Sequence, residues 1–502
     1  MESKVNCLID TNILIQFEEA DKQTGVLRQP FTEVFQLCQK YGVTLLHHPA
    51  SEEDIDRDKD LTRRKLTHSS RDKYPALENP PTVNIKELER IFGGIRNEND
   101  RVDCLILYAL YRNCADFIIT EDGGLHKRGA SAGLRERIFS ISEFKTWLLR
   151  NYEPQKVELP HVQDLFLYNI DKDDPIFDSL KETYTHGDGF EKWYNKCCTQ
   201  RRKAWVIYGE ESDIAGICIY NLDSEYKDRI PELGEKALKL CTFKISENHR
   251  GTKLGELILK TALLYAVENE ITSLWLTAFG GQQVHLTHFL ADFGFVVADI
   301  QHQGKEDILY KVFCAPDDVP SMNPIEFHKL YWPDCYESEE INKYIIPIIP
   351  EYHDVLFPEL CPQQDVQLPL FEDLKDSKIP GNTIKKVYLC HSPTRNIPEG
   401  SLILFYRSQD EKNLTTLGIV EKVHVINNFT DMIRIIGKRS VYSLDEVQAM
   451  LAKDTVVIEF RFIRHLKEKV TYSSLLADEV LKGPPISITQ ISNESYVKIK
   501  DW

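Results

Sequence analysis

LKLCTFKISENHRGTKLGELILKTALLYAVENE, residues 238–270, decides how the middle of this 502-residue chain folds. It reads as a strand over 238–245, a short turn, and a long helix from about 252 to 268. The turn is Arg250-Gly251-Thr252-Lys253-Leu254-Gly255. The first N–H groups of a helix have no partner inside it. The helix dipole adds positive charge at the same end, so an anion such as a pyrophosphate is favoured there. Gly251 and Gly255 let such a ligand approach the backbone, and Arg250 or Lys253 can add charge. Further strand-like runs at 204–208, 214–220, 273–278 and 308–313 surround this unit, which begins near Val157.

Upstream, residues 1–150 alternate short apolar runs (5–9, 43–46, 117–119) with amphipathic stretches, of which 101–112 carries Val102, Leu105, Ile106, Ala109 and Leu110 at helical spacing. That rhythm reads as a parallel α/β sheet. Asp10 ends one strand, Asp54 follows the second, Asp103 opens the helix, and Asp122 follows the third strand. Ligands gather at the carboxyl ends of strands in open α/β sheets. Converging carboxylates repel unless a cation neutralises them, so this set reads as a Mg²⁺ or Mn²⁺ site able to activate water against a phosphodiester. Thr120 is expected to hydrogen-bond the site. His47, His48 and His126 flank the same strands, and Arg63, Arg64, Lys65, Lys127 and Arg128 are the cations close to the acids in sequence.

Composition limits the choices. The chain is 42% apolar and 28% charged, which fits folded domains rather than disorder. No window approaches the roughly 18 apolar residues that span a bilayer. The 12 cysteines are scattered without a CxxC pair, which suggests neither a zinc site nor a disulfide framework and makes a reducing cytoplasm the expected location. The net charge of −17 is concentrated between 151 and 383, whereas both ends are close to neutral. Any nucleic-acid contact is therefore expected at the ends.

Three resemblances follow from these motifs. LIDTNIL around Asp10, HPASEEDI around Asp54, NDRVDCLIL around Asp103 and IITEDGGLHKR around Asp122 make the first unit resemble a PIN domain. That family implies a Mg²⁺- or Mn²⁺-dependent ribonuclease, often acting on structured RNA such as tRNA and restrained by an antitoxin-like partner protein. The second acid is usually Glu, so Asp54 departs from the pattern, with Asp58 and Asp100 as alternatives. The turn after the strand at 238–245, together with FLADFGF at 289–295, is similar to the GNAT acetyltransferase family. This resemblance implies acetyl-CoA or CoA held by Phe243, Ile245, Arg250, Gly251, Thr252, Lys253, Leu254, Gly255 and Glu256. Lys253 replaces the first motif glycine, and Leu290 stands where a tyrosine often acts as general acid. No carboxylate lies on the strand itself, which leaves Glu247, His285 and His288 as fallback candidates. The strand-rich end (385 onward, with KKVYLCHSPTRNIPEGSLILFYRS) looks like an ASCH or PUA-like domain, which implies RNA contact through Tyr388, His391, Arg395 and Arg407.

The expected architecture is multidomain α/β: a PIN-like parallel sheet over 1–150, a GNAT α+β fold over 151–316, an ordered Pro/Asp-rich connector over 317–383, and a PUA-like β-barrel over 384–502. The expected function is a toxin-like, metal-dependent RNA endonuclease with a CoA-binding domain and an RNA-recognition barrel. The alternatives are an N-acetyltransferase acting on RNA, aminoacyl-tRNA or protein with a degenerate PIN unit, and a non-catalytic RNA-binding regulator. The oligomeric state stays open.

Overall fold

The apolar runs expected near the N-terminus become strands because neighbouring residues point to opposite faces and both faces are covered. They are β1 (Asn6–Ile9), β2 (Thr44–His47) and β3 (Phe117–Ile119), joined by β4 (Ile138–Phe139). The sheet order is β2-β1-β3-β4 and every pairing is parallel. Cys7, Ile9, Phe117, Ile119 and Phe139 pack on one face with Trp147. Leu8, Ile118 and Ile138 pack on the other against Val102, Ile106 and Leu107 of the helix Glu98–Tyr111. The computed structural model describes residues 5–16, 29–152, 162–183, 189–209, 213–246, 249, 253–279, 283–302, 304–316, 319, 321–360, 383–439 and 441–500.

The chain divides into two compact units. The first is Met1–Pro154 together with Ile426–Ala452, and the second is Gln155–Val425 together with Lys453–Trp502. The late segment belongs to the first unit because its apolar residues have nowhere else to go. Ile433 and Leu444, from the helices Phe429–Ile436 and Leu444–Met450, join the Phe117–Trp147 face of the core. Arg434 Nε meets the buried Asp116 at 2.8 Å.

The second unit contains two sheets. Seven strands, β5 (Gln163–Phe166), β6 (Lys203–Tyr208), β7 (Ile214–Leu222), β8 (Ala237–Ile245), β9 (Ser273–Ala278), β10 (Val296–His302) and β11 (Glu306–Val312), form the order β10-β11-β9-β8-β7-β6-β5. Only β8 and β9 run parallel; the other pairs are antiparallel. The helix Leu254–Glu268 covers one face with Leu254, Ile258, Ala262 and Ala266 in the core, and Gly189–Thr199 lies against the other. The remaining strands are β12 (Lys343–Ile348), β13 (Lys385–Cys390), β14 (Leu402–Arg407), β15 (Asn413–Ile426), β16 (Thr455–Thr471) and β17 (Thr489–Ile491), ordered β13-β16-β15-β14-β12-β17.

Two expectations change here. The second sheet keeps β13 and β17 as separate edges, so the described residues form an open six-stranded sheet and not a closed barrel. The connector is also less irregular than its proline content suggests. KYIIPI within it is β12, paired with β14 along its length but with β17 only at Lys343, Tyr344 and Ile345. Pro347 lies past the end of that second pairing, where a missing N–H leaves no gap in the ladder with β17.

Candidate active site

Asp10 turns back on the helix that follows it. Its Oδ1 accepts the Thr11 N–H at 2.7 Å and its Oδ2 accepts the Thr120 hydroxyl at 2.6 Å. That hydroxyl oxygen also accepts from Asn12 Nδ2 at 3.1 Å and from the Asp122 N–H at 2.9 Å, so the expected role of Thr120 as a hydrogen-bonding hub is what the structure shows. Asp122 is exposed and caps the helix Gly123–Ser131 by accepting from Leu125 N at 2.8 Å. Asp54, on the helix Ser51–Asp56, pairs with Arg57. The alternatives Asp58 and Asp100 pair with Arg63 at 2.5 Å and Arg128 at 2.7 Å. Of the histidines, His48 is held neutral, its pKa pushed down to about 4 by burial, and His126 Nε2 lies 3.1 Å from the Thr120 carbonyl.

The four predicted acids do come within electrostatic range of one another. Burial pushes Asp103 up to about 8, and the charges of Asp10, Asp122 and Asp54 add to that rise. Burial also raises Asp10 to about 6, against the lowering by its bonds from Thr120 and Thr11. It raises Asp54 to about 6 even with Arg57 alongside. This does not make a metal centre. Among the described residues no three His, Cys, Asp or Glu side chains converge on a position that could hold a cation. Burial and like charges favour the protonated form of Asp103, while the hydrogen bonds from Thr11 and Thr120 favour the charged form of Asp10.

The second candidate site lies where β8 and β9 part. They pair only at Ala237 with Ser273, Leu238 with Leu274, and Lys239 with Trp275. Beyond that point β8 runs on to Ile245 bonded to β7, and β9 runs on to Ala278 bonded to β11. The edges that face each other therefore carry backbone N–H and C=O groups without a ladder partner. Cys241 is one residue too many for the β7 ladder, which passes from Tyr220–Leu240 to Ile219–Thr242, so β8 bulges at the mouth of the opening.

The helix Leu254–Glu268 starts at the far end of this opening, entered through Lys253 in a left-handed conformation with φ 67°. A Cβ placed on Gly255 would meet Ile245 at 3.7 Å, Phe243 at 3.8 Å and Phe289 at 3.9 Å. The bare backbone of Gly255 thus fronts a cradle walled by three apolar side chains, and the described part of the junction fits an extended ligand ending in an anion. Glu256 turns its carboxylate away into the protein, where it is 4% exposed. Arg250, Gly251, Thr252 and Glu247 lie outside the described residues.

Groups able to move a proton are few here. Leu290 is fully buried in the core, which explains why the position carries no acid. His288 is half-buried, and the side chain of His285 lies outside the described residues. Two groupings escaped sequence reading. Ser246 Oγ is 2.8 Å from His249 Nδ1, and Arg202 Nη1 donates to Cys241 Sγ at 3.0 Å. A histidine three residues after a serine could have been noticed; the Cys241 bulge could not, since it exists only in the register between strands.

The residues expected to contact RNA divide into two kinds. Tyr388 is buried, bonds the Pro347 carbonyl at 3.1 Å and packs edge-on against Phe405. Arg407 is held by Asp354 and by Asp410 at 2.7 Å. His391 is exposed beside Thr455, and Arg395 is exposed and paired with Asp454 at 2.8 Å.

The acetyltransferase (GNAT) family model matches residues 165–295. No curated protein sequence matches the chain. Among solved structures, an N-acetyltransferase PaiA from Thermoplasma acidophilum, solved with coenzyme A, is 14% identical over 31% of this chain and 100% of its own, with a TM-score of 0.24. A GNAT-family acetyltransferase from Staphylococcus aureus Mu50 is 13% identical over 30% of this chain and 99% of its own, with a TM-score of 0.22. An ASCH protein from Zymomonas mobilis is 13% identical over 32% of this chain and 94% of its own, with a TM-score of 0.24. The metal-dependent endoribonuclease expected from the N-terminal acids is thereby corrected: the family match is to an acetyltransferase and falls outside those acids, and no metal-holding group is found among the described residues. The antitoxin-like partner rested on the nuclease and goes with it. No described helix is long and apolar enough to cross a membrane. Residues 165–295 are thus the part of this longer chain that is similar to the GNAT acetyltransferase family.

Proposed function

We propose that this domain binds acetyl-CoA or a related acyl-CoA and passes the acyl group to an amine. The observation that carries the reading is the parting of β8 from β9, which ends at a helix start fronted by Gly255. When bound, the cofactor supplies an activated thioester carbonyl. The chain does the rest. The unpaired edge of β8 past Lys239 offers backbone donors and acceptors to an extended ligand, Phe243, Ile245 and Phe289 wall it from water, and the N–H groups of the first helical turn together with Lys253 hold its anionic end. His249, bonded to Ser246 in the turn before the helix, is assigned the acceptor's proton.

The strongly acidic balance of 151–383 favours an acceptor that arrives as a cation, such as a protein or small-molecule amine, over a polyanion. RNA contact, if retained as a property of the last sheet, rests on His391 and Arg395, because Tyr388 and Arg407 are committed inside the fold. Titration calorimetry with CoA tests the first step, with a Kd on the order of 10 µM expected. Radiolabelled acetyl-CoA offered with polyamines, peptides and total tRNA then identifies the acceptor. No binding at millimolar CoA would remove the reading.

A further inference from the structure

A carboxylate in the first turn of a helix is usually stabilising, but beside a bound anion it is a liability, because like charges repel in the same low-dielectric corner. Glu256 occupies that position, third in the helix Leu254–Glu268, one residue after Gly255. Its carboxylate is used elsewhere. Oε1 accepts the N–H of Ile384 at 2.9 Å and of Lys385 at 3.0 Å, the two residues that lead into the edge strand β13 of the second sheet. Oε2 lies 3.9 Å from Lys253 Nζ. The carboxylate is thus neutralised by two backbone donors and a lysine, and the second sheet is what supplies the donors.

The same sheet holds the other wall of the opening. Lys385 Nζ reaches Asp292 Oδ2 at 3.3 Å, and Arg461 of β16 donates to the Asp292 carbonyl at 3.0 Å. Asp292 ends the helix that carries Phe289. Arg461 is itself fixed by Glu421 at 2.5 Å and is 2% exposed. Both elements that flank Gly255 are therefore tied to β13 and β16.

Building on the acyl-CoA reading above, we propose that Glu256 is a positioning residue for the cofactor's pyrophosphate: by reaching across to the Ile384 and Lys385 N–H groups it removes its own charge from the helix start and fixes that turn, which makes the second sheet part of the cofactor site. It touches no reacting atom; it acts through the backbone of the first turn.

The test uses the full chain and three substitutions read by calorimetry with CoA and with pantetheine, which lacks the pyrophosphate. Glu256→Gln keeps an oxygen that accepts both N–H groups and is expected to bind CoA within about threefold of wild type. Glu256→Asp keeps the charge but is one methylene too short to reach, and is expected to weaken CoA about tenfold or more, with pantetheine changing less than twofold. Glu256→Ala is expected to weaken CoA and to speed amide hydrogen exchange at Ile384 and Lys385. If the Ala variant does not fold, the Gln and Asp pair decides alone. Equal CoA binding by Asp, Gln and wild type overturns the positioning role, and so does an equal loss for CoA and pantetheine. Failure of wild type itself to bind CoA is a different result, which removes the acyl-CoA reading beneath it.

Discussion

Two strand-to-helix junctions in this molecule begin alike and end in opposite chemistry. At the first, β1 ends on Asp10 and the next helix begins at Thr11; the carboxylate fills the junction and spends both oxygens on Thr11 and Thr120. At the second, β8 ends at Ile245, the helix begins at Leu254, and Gly255 sets a bare backbone at van der Waals distance from Ile245, Phe243 and Phe289. The acid-rich junction looks more like a site in the sequence, and there the two oxygens of Asp10 are satisfied while the buried Thr11 hydroxyl has no hydrogen-bond partner among the described residues. The glycine junction looks plainer, and among the described residues β8 and β9 share no ladder pairing past Lys239. A site is marked less by how many reactive residues it holds than by where two strands part and leave backbone edges to a ligand.

The sharpest way to break this comparison is to give the second junction what the first has. Gly255→Asp puts a carboxylate into the cradle, and since a Cβ there makes only ordinary contacts with Ile245, Phe243 and Phe289, the fold should survive. CoA affinity should fall about a thousandfold, close to 4 kcal/mol, with a circular-dichroism spectrum unchanged. Retained affinity would show that the helix start is not where the anion binds.

The converse is to relieve the first junction. Asp103 is pushed up to about 8, above the unfolded value of about 4, so the fold favours its protonated form. Its contribution is complete below pH 4 and drains away as pH rises through 8. Asp103→Asn should therefore stabilise the protein by about 2 kcal/mol at pH 9 and change little at pH 4, as read from urea midpoints at the two pH values. A loss of stability at pH 9 would mean that the ionised carboxylate has a partner. Thr120→Val tests the same cluster from the side of its hub. It keeps the shape but removes the donor to Asp10 and should cost about 1.5 kcal/mol near neutral pH, measured in the same way.

Much of this was legible locally and little of it at a distance. The strand, turn and helix of 238–270 could be read because each depends on neighbours a few residues away, and the near-alignment of the four aspartates could be read because strand ends and helix starts are local features. What became of those aspartates could not. Thr120 is expected at the site, but that its hydroxyl bonds Asp10 Oδ2 across 110 residues is not, and Asp54 is answered by Arg57. Glu256 read as a cofactor residue because nothing nearby hints that its partners are Ile384 and Lys385. Pro347 hid β12, since a strand proline is acceptable only where the neighbouring ladder has ended, and that depends on where β17 stops. The transfer of Ile426–Ala452 to the first unit depends on Ile433, Leu444 and Arg434 finding a surface built from residues of the first 150.

The smallest effect is the most discriminating. Gly255→Ala adds a methyl whose neighbours stand 3.7 Å or more away, so nothing must move to admit it. In a helix, alanine restricts the unfolded chain more than glycine, and the gain should be about 0.5 kcal/mol in thermal or urea unfolding. If the opening is shaped by missing charge rather than by missing volume, the methyl should lower CoA affinity less than threefold while Gly255→Asp nearly abolishes it. Equal losses from both would mean that the ligand needs the bare backbone itself, packed so closely that a single carbon excludes it, and the contrast between the two junctions would then be one of space and not of electrostatics.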